Sequence, residues 1–107
     1  MSTVNLIDKY LPMSETAYYI LLSLCEPRHG YGISKWVGEK TNDRIKLGSG
    51  TIYGTISKFE NDNLICLYDE IDNRKIYEIT SRGKKVLAAE INRIRELEKN
   101  SEYFERI

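Results

Sequence analysis

The side chains of this 107-residue chain that could do chemistry fall into two unequal groups. For catalysis the stock is thin. His29 is the only histidine and has no acidic, Ser or Cys partner nearby, so a turn or helix-cap role suits it better than that of a base or ligand. Gly48-Ser49-Gly50 lacks the following Gly-Lys-Ser/Thr that would complete a phosphate-cradling loop. Cys25 and Cys66 stand far apart among apolar residues, with no His or second Cys at metal-ligand spacing, and are expected to be reduced, buried thiols. No Ser/His/Asp set or paired carboxylates in an apolar setting appears, so no enzyme activity, metal or cofactor is expected. The second group donates hydrogen bonds. Ser49, Thr51, Tyr53, Ser57, Lys58 and Asn61 follow one another at helical spacing, and Arg74 and Lys75 open a later strand. Hydroxyls, an amide and cations in such an arrangement suit contact with phosphates and base edges.

These residues need elements to hold them. Ser14 opens a first clear helix with Glu15 in its first turn, and Ala17, Ile20, Leu21 and Leu24 form its apolar stripe. Tyr18, Leu22 and Cys25 add a second row, and Pro27 is expected to end the helix. A turn through Arg28–Gly32 leads into a second helix over about 31–41, with Ile33, Trp36 and Val37 on its buried side and Thr41-Asn42-Asp43 closing it. Leu47 should pin the connection to the core. The third helix begins around Gly48–Thr51 with Ser49 as N-cap, and Ile52, Ile56 and Phe59 define its core side. At about 100° per residue the opposite side carries Gly50, Gly54, Ser57, Lys58 and Asn61, flanked by Thr51 and Tyr53. Asn63 stands where a left-handed cap is needed.

The period then changes. Leu64–Tyr68 and Lys75–Ile79 are β-prone runs on either side of a polar turn, Asp69–Asn73, which predicts a hairpin too small to stand alone. Thr80 or Ser81 caps a final helix running to near the C-terminus. Its apolar residues Val86, Leu87, Ile91, Ile94, Leu97 and Phe104 fall within a sector about 140° wide. A helix of about 25 residues would reach nearly 40 Å, longer than one small domain can cover, so a second copy of the chain is the expected cover. The fold expectation is mainly α with a small β-hairpin: a winged helix-turn-helix domain over 1–80, whose N-terminal helices also join the dimer, and a C-terminal dimerisation helix over 81–107.

Bulk composition is compatible with this. Apolar content of 41% and charge of 30% are ordinary for a globular protein. Eight of the eleven aromatics are Tyr, a residue suited to interfaces because a hydroxyl tips an apolar ring. Net charge is zero, yet residues 28–63 carry +2 and 74–85 carry +4, against −3 over 64–73. Local positive blocks can bind nucleic acid with a salt-sensitive affinity. The first ten residues do not read as a secretion signal, and no run approaches about 18 apolar residues. A cytoplasmic protein with no membrane partner is expected.

Five segments, in order over about residues 11–85, resemble the PadR family of transcriptional regulators. They are Leu11-Pro12-Met13-Ser14-Glu15, Glu26–Ile33, Gly50-Thr51-Ile52-Tyr53, Phe59–Ile65 and Arg74–Gly83. With one C-terminal helix the chain is similar to the short subfamily, which includes multidrug-sensing repressors. The resemblance implies a homodimeric winged helix-turn-helix repressor that binds double-stranded operator DNA through Ser49, Thr51, Tyr53, Ser57, Lys58, Asn61, Arg74 and Lys75. It also implies dimer packing through Leu87, Ile91, Ile94, Leu97 and Phe104, with the groove they line taking a small hydrophobic effector, or a stress signal acting on the dimer angle. Departures are visible. Gly54 and Ser57 stand where relatives often carry a basic residue, Asn63 replaces the usual Gly, and Ile94 occupies the position of an aromatic that lines the drug site in small relatives. The rival reading is a winged-helix protein-interaction module that has lost DNA binding, favoured by the neutral charge and the bare face at Gly54.

Overall fold

In the computed structural model, which describes residues 2–107, the chain forms α1 (Thr3–Tyr10), α2 (Glu15–Ser23), α3 (Gly30–Lys40), α4 (Ser49–Asn61), β1 (Ile65–Ile71), β2 (Arg74–Ile79), α5 (Ser81–Asn100) and α6 (Glu102–Glu105). This is a winged helix-turn-helix with a long helix after the wing. The first helix, α1, was not expected from the sequence. Ser2 caps it by accepting the Asn5 N–H, and Leu6 and Tyr10, one turn apart, are buried. Ser14 caps α2 through the Ala17 N–H, but α2 ends at Ser23, short of Pro27. The helix stops because Leu24 already turns out of it, its N–H reaching back to Leu21 and Leu22.

His29 caps α3 as expected: its Nδ1 accepts the Gly32 N–H at 3.2 Å. Asn42 and Asp43 then take left-handed backbone angles and turn the chain away. Trp36, expected in the core, is only half buried. Its ring packs on the core edge beneath the Arg28 guanidinium and the Lys40 ammonium, 5.3 and 5.4 Å from the ring centre. Gly48, not Ser49, is the N-cap of α4, and no side chain bonds the helix start. Ser49 is therefore the first helical residue. Ile52, Ile56 and Phe59 are buried as the spacing predicts, and Asn63 sits at φ 59° where the chain leaves α4.

The hairpin is longer and its turn tighter than expected. Only Asp72 and Asn73 form the turn, both left-handed, so the strands extend to Ile71 and Arg74. Tyr68 is an extra residue in β1, since Leu67 pairs with Tyr77 and Asp69 with Ile76. Arg28 adds a bridge on the free side of β2, exchanging both backbone hydrogen bonds with Tyr77. That bridge fixes the start of α3 beside the wing.

One core joins the elements: Leu6, Ile20, Leu21, Leu24, Ile33, Val37, Phe59, Leu64, Ile65 and Val86 are fully or nearly fully buried. Glu90 is buried too, at 1% exposure. Its carboxylate accepts the Met13 N–H at 2.8 Å and pairs with Arg93 at 2.5 Å, which satisfies the charge. Thr80 caps α5 through the Gly83 N–H. The last helix is not continuous. It breaks at Ser101, whose hydroxyl bonds the Glu98 carbonyl, and one further turn, α6, follows. Both cysteines, expected to be buried, are exposed: Cys25 lies in the turn after α2 and Cys66 on the outer side of β1. Among the described residues no helix is long and apolar enough to cross a membrane.

Candidate nucleic-acid interface

The side chains singled out in the sequence come from two elements that share no helix or strand, so their meeting is a matter of the fold. Burial of Ile52, Ile56 and Phe59 turns Gly50, Thr51, Tyr53, Gly54, Ser57, Lys58 and Asn61 to solvent. All of them are exposed, and a Cβ built on Gly50 or Gly54 would meet no heavy atom within 4 Å. Neither glycine has a positive φ, so neither is required by backbone conformation or by packing within the chain. Tyr53 lies at one border of this face, 57% exposed, with its hydroxyl directly over Gly30 at the start of α3. The glycine at position 30 lets it lie there: an added Cβ would stand 2.7 Å from the Tyr53 hydroxyl and push that ring aside.

The wing approaches the same border. Tyr53, Arg74 and Lys75 line one cavity of about 550 Å³ together with His29, Tyr31, Asn73 and Tyr77. The Arg28–Tyr77 backbone bridge is what brings the α3 start and β2 into this contact. His29 and Tyr31 stack within it, with ring centres 6.3 Å apart, and Tyr31 is 70% exposed. Burial pushes the Tyr77 phenol up from its ordinary range, so it stays a neutral donor. Two cations, three phenols and an imidazole with no carboxylate among the lining residues make an anion-accepting hollow. Of the hairpin's acidic residues, Asp69 and Glu70 lie on β1, Asp72 in the turn and Glu78 on β2; none is a lining residue, though Glu60 and Glu70 are near enough to act on the Tyr77 phenol.

His29, Tyr31 and Tyr77 were not among the expected contact residues. The Arg28–Gly32 run signalled an irregular entry to α3, but the pairing of Arg28 with Tyr77, across 49 residues of sequence, left no local trace. Ser57 and Asn61 lie on the open face, apart from that cavity. Ser49 faces α3 instead, bordering a hollow of about 220 Å³ with Tyr31, Ser34 and Tyr53. Lys58 sits at the opposite border of α4 from Tyr53, its ammonium 5.1 Å from the Tyr10 ring centre.

The residues expected at a dimer contact divide along α5. Leu87 is buried within its own chain and Ile91 is half buried against the core. Beyond them Ile94, Leu97 and Phe104 are 37%, 55% and 76% exposed, and Tyr103 and Ile107 extend the apolar run. Beside Ile94 a cavity of about 400 Å³ is lined by Met13, Tyr18, Tyr19, Glu90 and Arg93 among others.

The model of the PadR-like family of transcriptional regulators matches residues 19–89 of the chain. An uncharacterized protein of Lysinibacillus sphaericus is 32% identical over 71 residues, which take in 63% of this chain and 65% of that protein. A PadR family transcription regulator of Clostridium difficile is 26% identical, with a TM-score of 0.66 over 82% of this chain and 96% of that one. Bacillus subtilis PadR, in complex with operator DNA, is also 26% identical, with a TM-score of 0.62 over 72% of this chain and 46% of its own.

Proposed function

Because this chain belongs to the PadR-like family of transcriptional regulators, we propose that it binds double-stranded operator DNA sequence-specifically, as a homodimer and a repressor, and catalyses no reaction. The observation that carries this reading is the meeting of Tyr53 from α4 with Arg74 and Lys75 from the wing in one anion-accepting cavity. It lies beside a helix face with no internal partner. A helix with such a face fits the major groove, about 12 Å wide, while the wing meets the adjoining backbone. Thr51, Tyr53 and Lys58 serve as phosphate or base contacts, and Ser57 and Asn61 face the base edges. Ser49 lies at the rim.

The division of labour follows from exposure. Residues 1–80 read DNA, and 81–107 supply the dimer contact through Ile94, Leu97 and Phe104, with Ile91 at its margin and Leu87 anchoring α5 in its own core. The cavity beside Ile94 is where a small hydrophobic effector would alter the dimer angle, and with it the spacing of two reading heads about one DNA turn apart.

The test is fluorescence anisotropy with a duplex of the protein's own promoter, titrated with salt. A steep fall of log affinity with log salt, and at least a hundredfold preference over an unrelated duplex, is expected. Absence of binding at low salt would refute the reading and leave a winged-helix module for protein partners.

A further inference from the structure

The wing-side cavity accounts for only one border of α4. Tyr53 and Lys58 are five residues apart, which places them about 140° apart around the helix, one at each edge of the open face. On the Lys58 side lies a second cavity of about 340 Å³ between α1, the start of α2 and α4; its lining includes Lys9, Tyr10, Ser14, Thr55 and Lys58.

The chemistry here is also that of an anion seat. Two ammonium groups converge on one ring: Lys58 Nζ is 5.1 Å and Lys9 Nζ 5.6 Å from the Tyr10 centroid. The only carboxylate they share is Asp62. Its Oδ2 already accepts from Lys9 at 2.8 Å and from the Tyr10 hydroxyl at 2.6 Å. Lys9 and Tyr10 hold the Asp62 carboxyl below its ordinary range, with a smaller contribution from Lys58, so it remains an anion whose single charge offsets only one of the two lysines. Among the described residues Lys58 makes no ion pair, which leaves a surplus positive charge at the cavity. The first N–H groups of α2 add the positive end of a helix to it, and the Glu15 carboxylate in that first turn is drawn off by Arg44.

We propose that this cavity seats a backbone phosphate of the strand opposite the one met by the wing, with Lys9 and Lys58 as its cations. A helix lying in a groove has a sugar-phosphate wall on each side. The wing-side hollow meets one wall, and the α1–α2 shelf meets the other. The assignment rests on the DNA-binding reading above and adds Lys9 and Thr55, from outside the expected contacts, to it. Tyr10 is a positioning residue: its ring gathers the two lysines and its hydroxyl ties α1 to the end of α4.

The salt dependence of binding to the promoter duplex tests this. Each phosphate contact contributes about 0.9 to the slope of log affinity against log salt, so Lys9→Gln should lower the slope by about 2 in a dimer. Affinity should fall alike on specific and unrelated duplexes, and Lys9→Arg should restore both. A merely structural role for Lys9 would lower the melting temperature and leave the slope as it was. If Lys9→Gln does destabilise α1 through loss of the Asp62 pair, Lys58→Gln keeps that pair and must show the same loss of slope. An unchanged slope in Lys58→Gln, or in a stably folded Lys9→Gln, overturns the seat while the wild type still binds DNA. A wild type that binds no duplex overturns the DNA-binding reading itself and the seat with it.

Discussion

Gly54 stands in the middle of α4 with nothing in its own chain to justify it, and replacing it with Ala separates stability from function. Glycine costs a helix interior about 1 kcal/mol relative to alanine. Here the added methyl meets no heavy atom within 4 Å and the backbone is not left-handed, so no strain offsets the gain. Gly54→Ala should stabilise each chain by about 1 kcal/mol, raising the melting temperature of a domain this size by about 4 °C. Binding should move the other way. The methyl projects from the centre of the open face, between Tyr53 and Lys58, where a groove floor would lie against the helix. Overpacking such a contact costs about 1–3 kcal/mol, a roughly fivefold to 150-fold loss of affinity. Circular dichroism melts and anisotropy titrations on the same preparations read both quantities. A variant that melts higher and binds the promoter duplex as tightly as wild type would refute the idea that this face approaches DNA closely. One that melts no higher would refute the energetic premise.

Other substitutions probe other contacts. Gly83→Ala would drive a Cβ to within 2.1 Å of the Leu64 carbonyl oxygen and 2.7 Å of Ile79, and backbone cannot yield as a side chain does. A loss of about 3 kcal/mol or more is expected in chemical denaturation. Gly30→Ala displaces the Tyr53 hydroxyl, 2.7 Å from the new methyl, and should weaken duplex binding alike on all sequences, as should Tyr53→Phe if that hydroxyl meets phosphate. Ile94→Asp should convert the dimer to a monomer in light scattering, and a stable dimer from that variant would defeat the packing proposal. The Asp62 carboxyl is held low in the folded chain, so its contribution is present above the ordinary aspartate range and lost as pH falls through the lowered value. Melting temperature should therefore drop more steeply below about pH 4 in wild type than in Asp62→Asn.

What the sequence made readable was whatever is written in local period. The Ile52/Ile56/Phe59 stripe oriented α4 correctly, Ser14 and Thr80 marked helix starts, and Asn63 marked the left-handed exit. What it hid depends on distant partners. α1 is amphipathic but short: Leu6 and Tyr10 are buried with Ile7 packed beside them, and the tie that holds Tyr10, to Asp62 across 52 residues, leaves no local trace. The wing turn was drawn too long because Asp69 and Glu70 look like loop residues, yet they pair with Ile76 and Lys75 in a strand bent by the Tyr68 bulge. Cys25 and Cys66 have apolar sequence neighbours, but exposure depends on which face the fold turns outward. The cluster of His29, Tyr31 and Tyr77 beside Tyr53 was invisible for the same reason: a single backbone bridge at Arg28 assembles it.

Glu90 gives α5 a fulcrum. A buried carboxylate bonded to the Met13 N–H ties the helix to the segment ahead of α2, beside the core contacts of Val86 and Leu87, while ten residues run on to Asn100 with Ile91 half buried and Ile94 and Leu97 exposed. That free arm is about 15 Å long, so a 10° tilt about the pivot would carry its tip roughly 2.6 Å. Molecular leverage of this kind works in both directions. A load on the outer arm bears, through this hydrogen bond and the packing around it, on the segment that leads into α2, and a small repacking around Met13 is magnified at the tip of the arm.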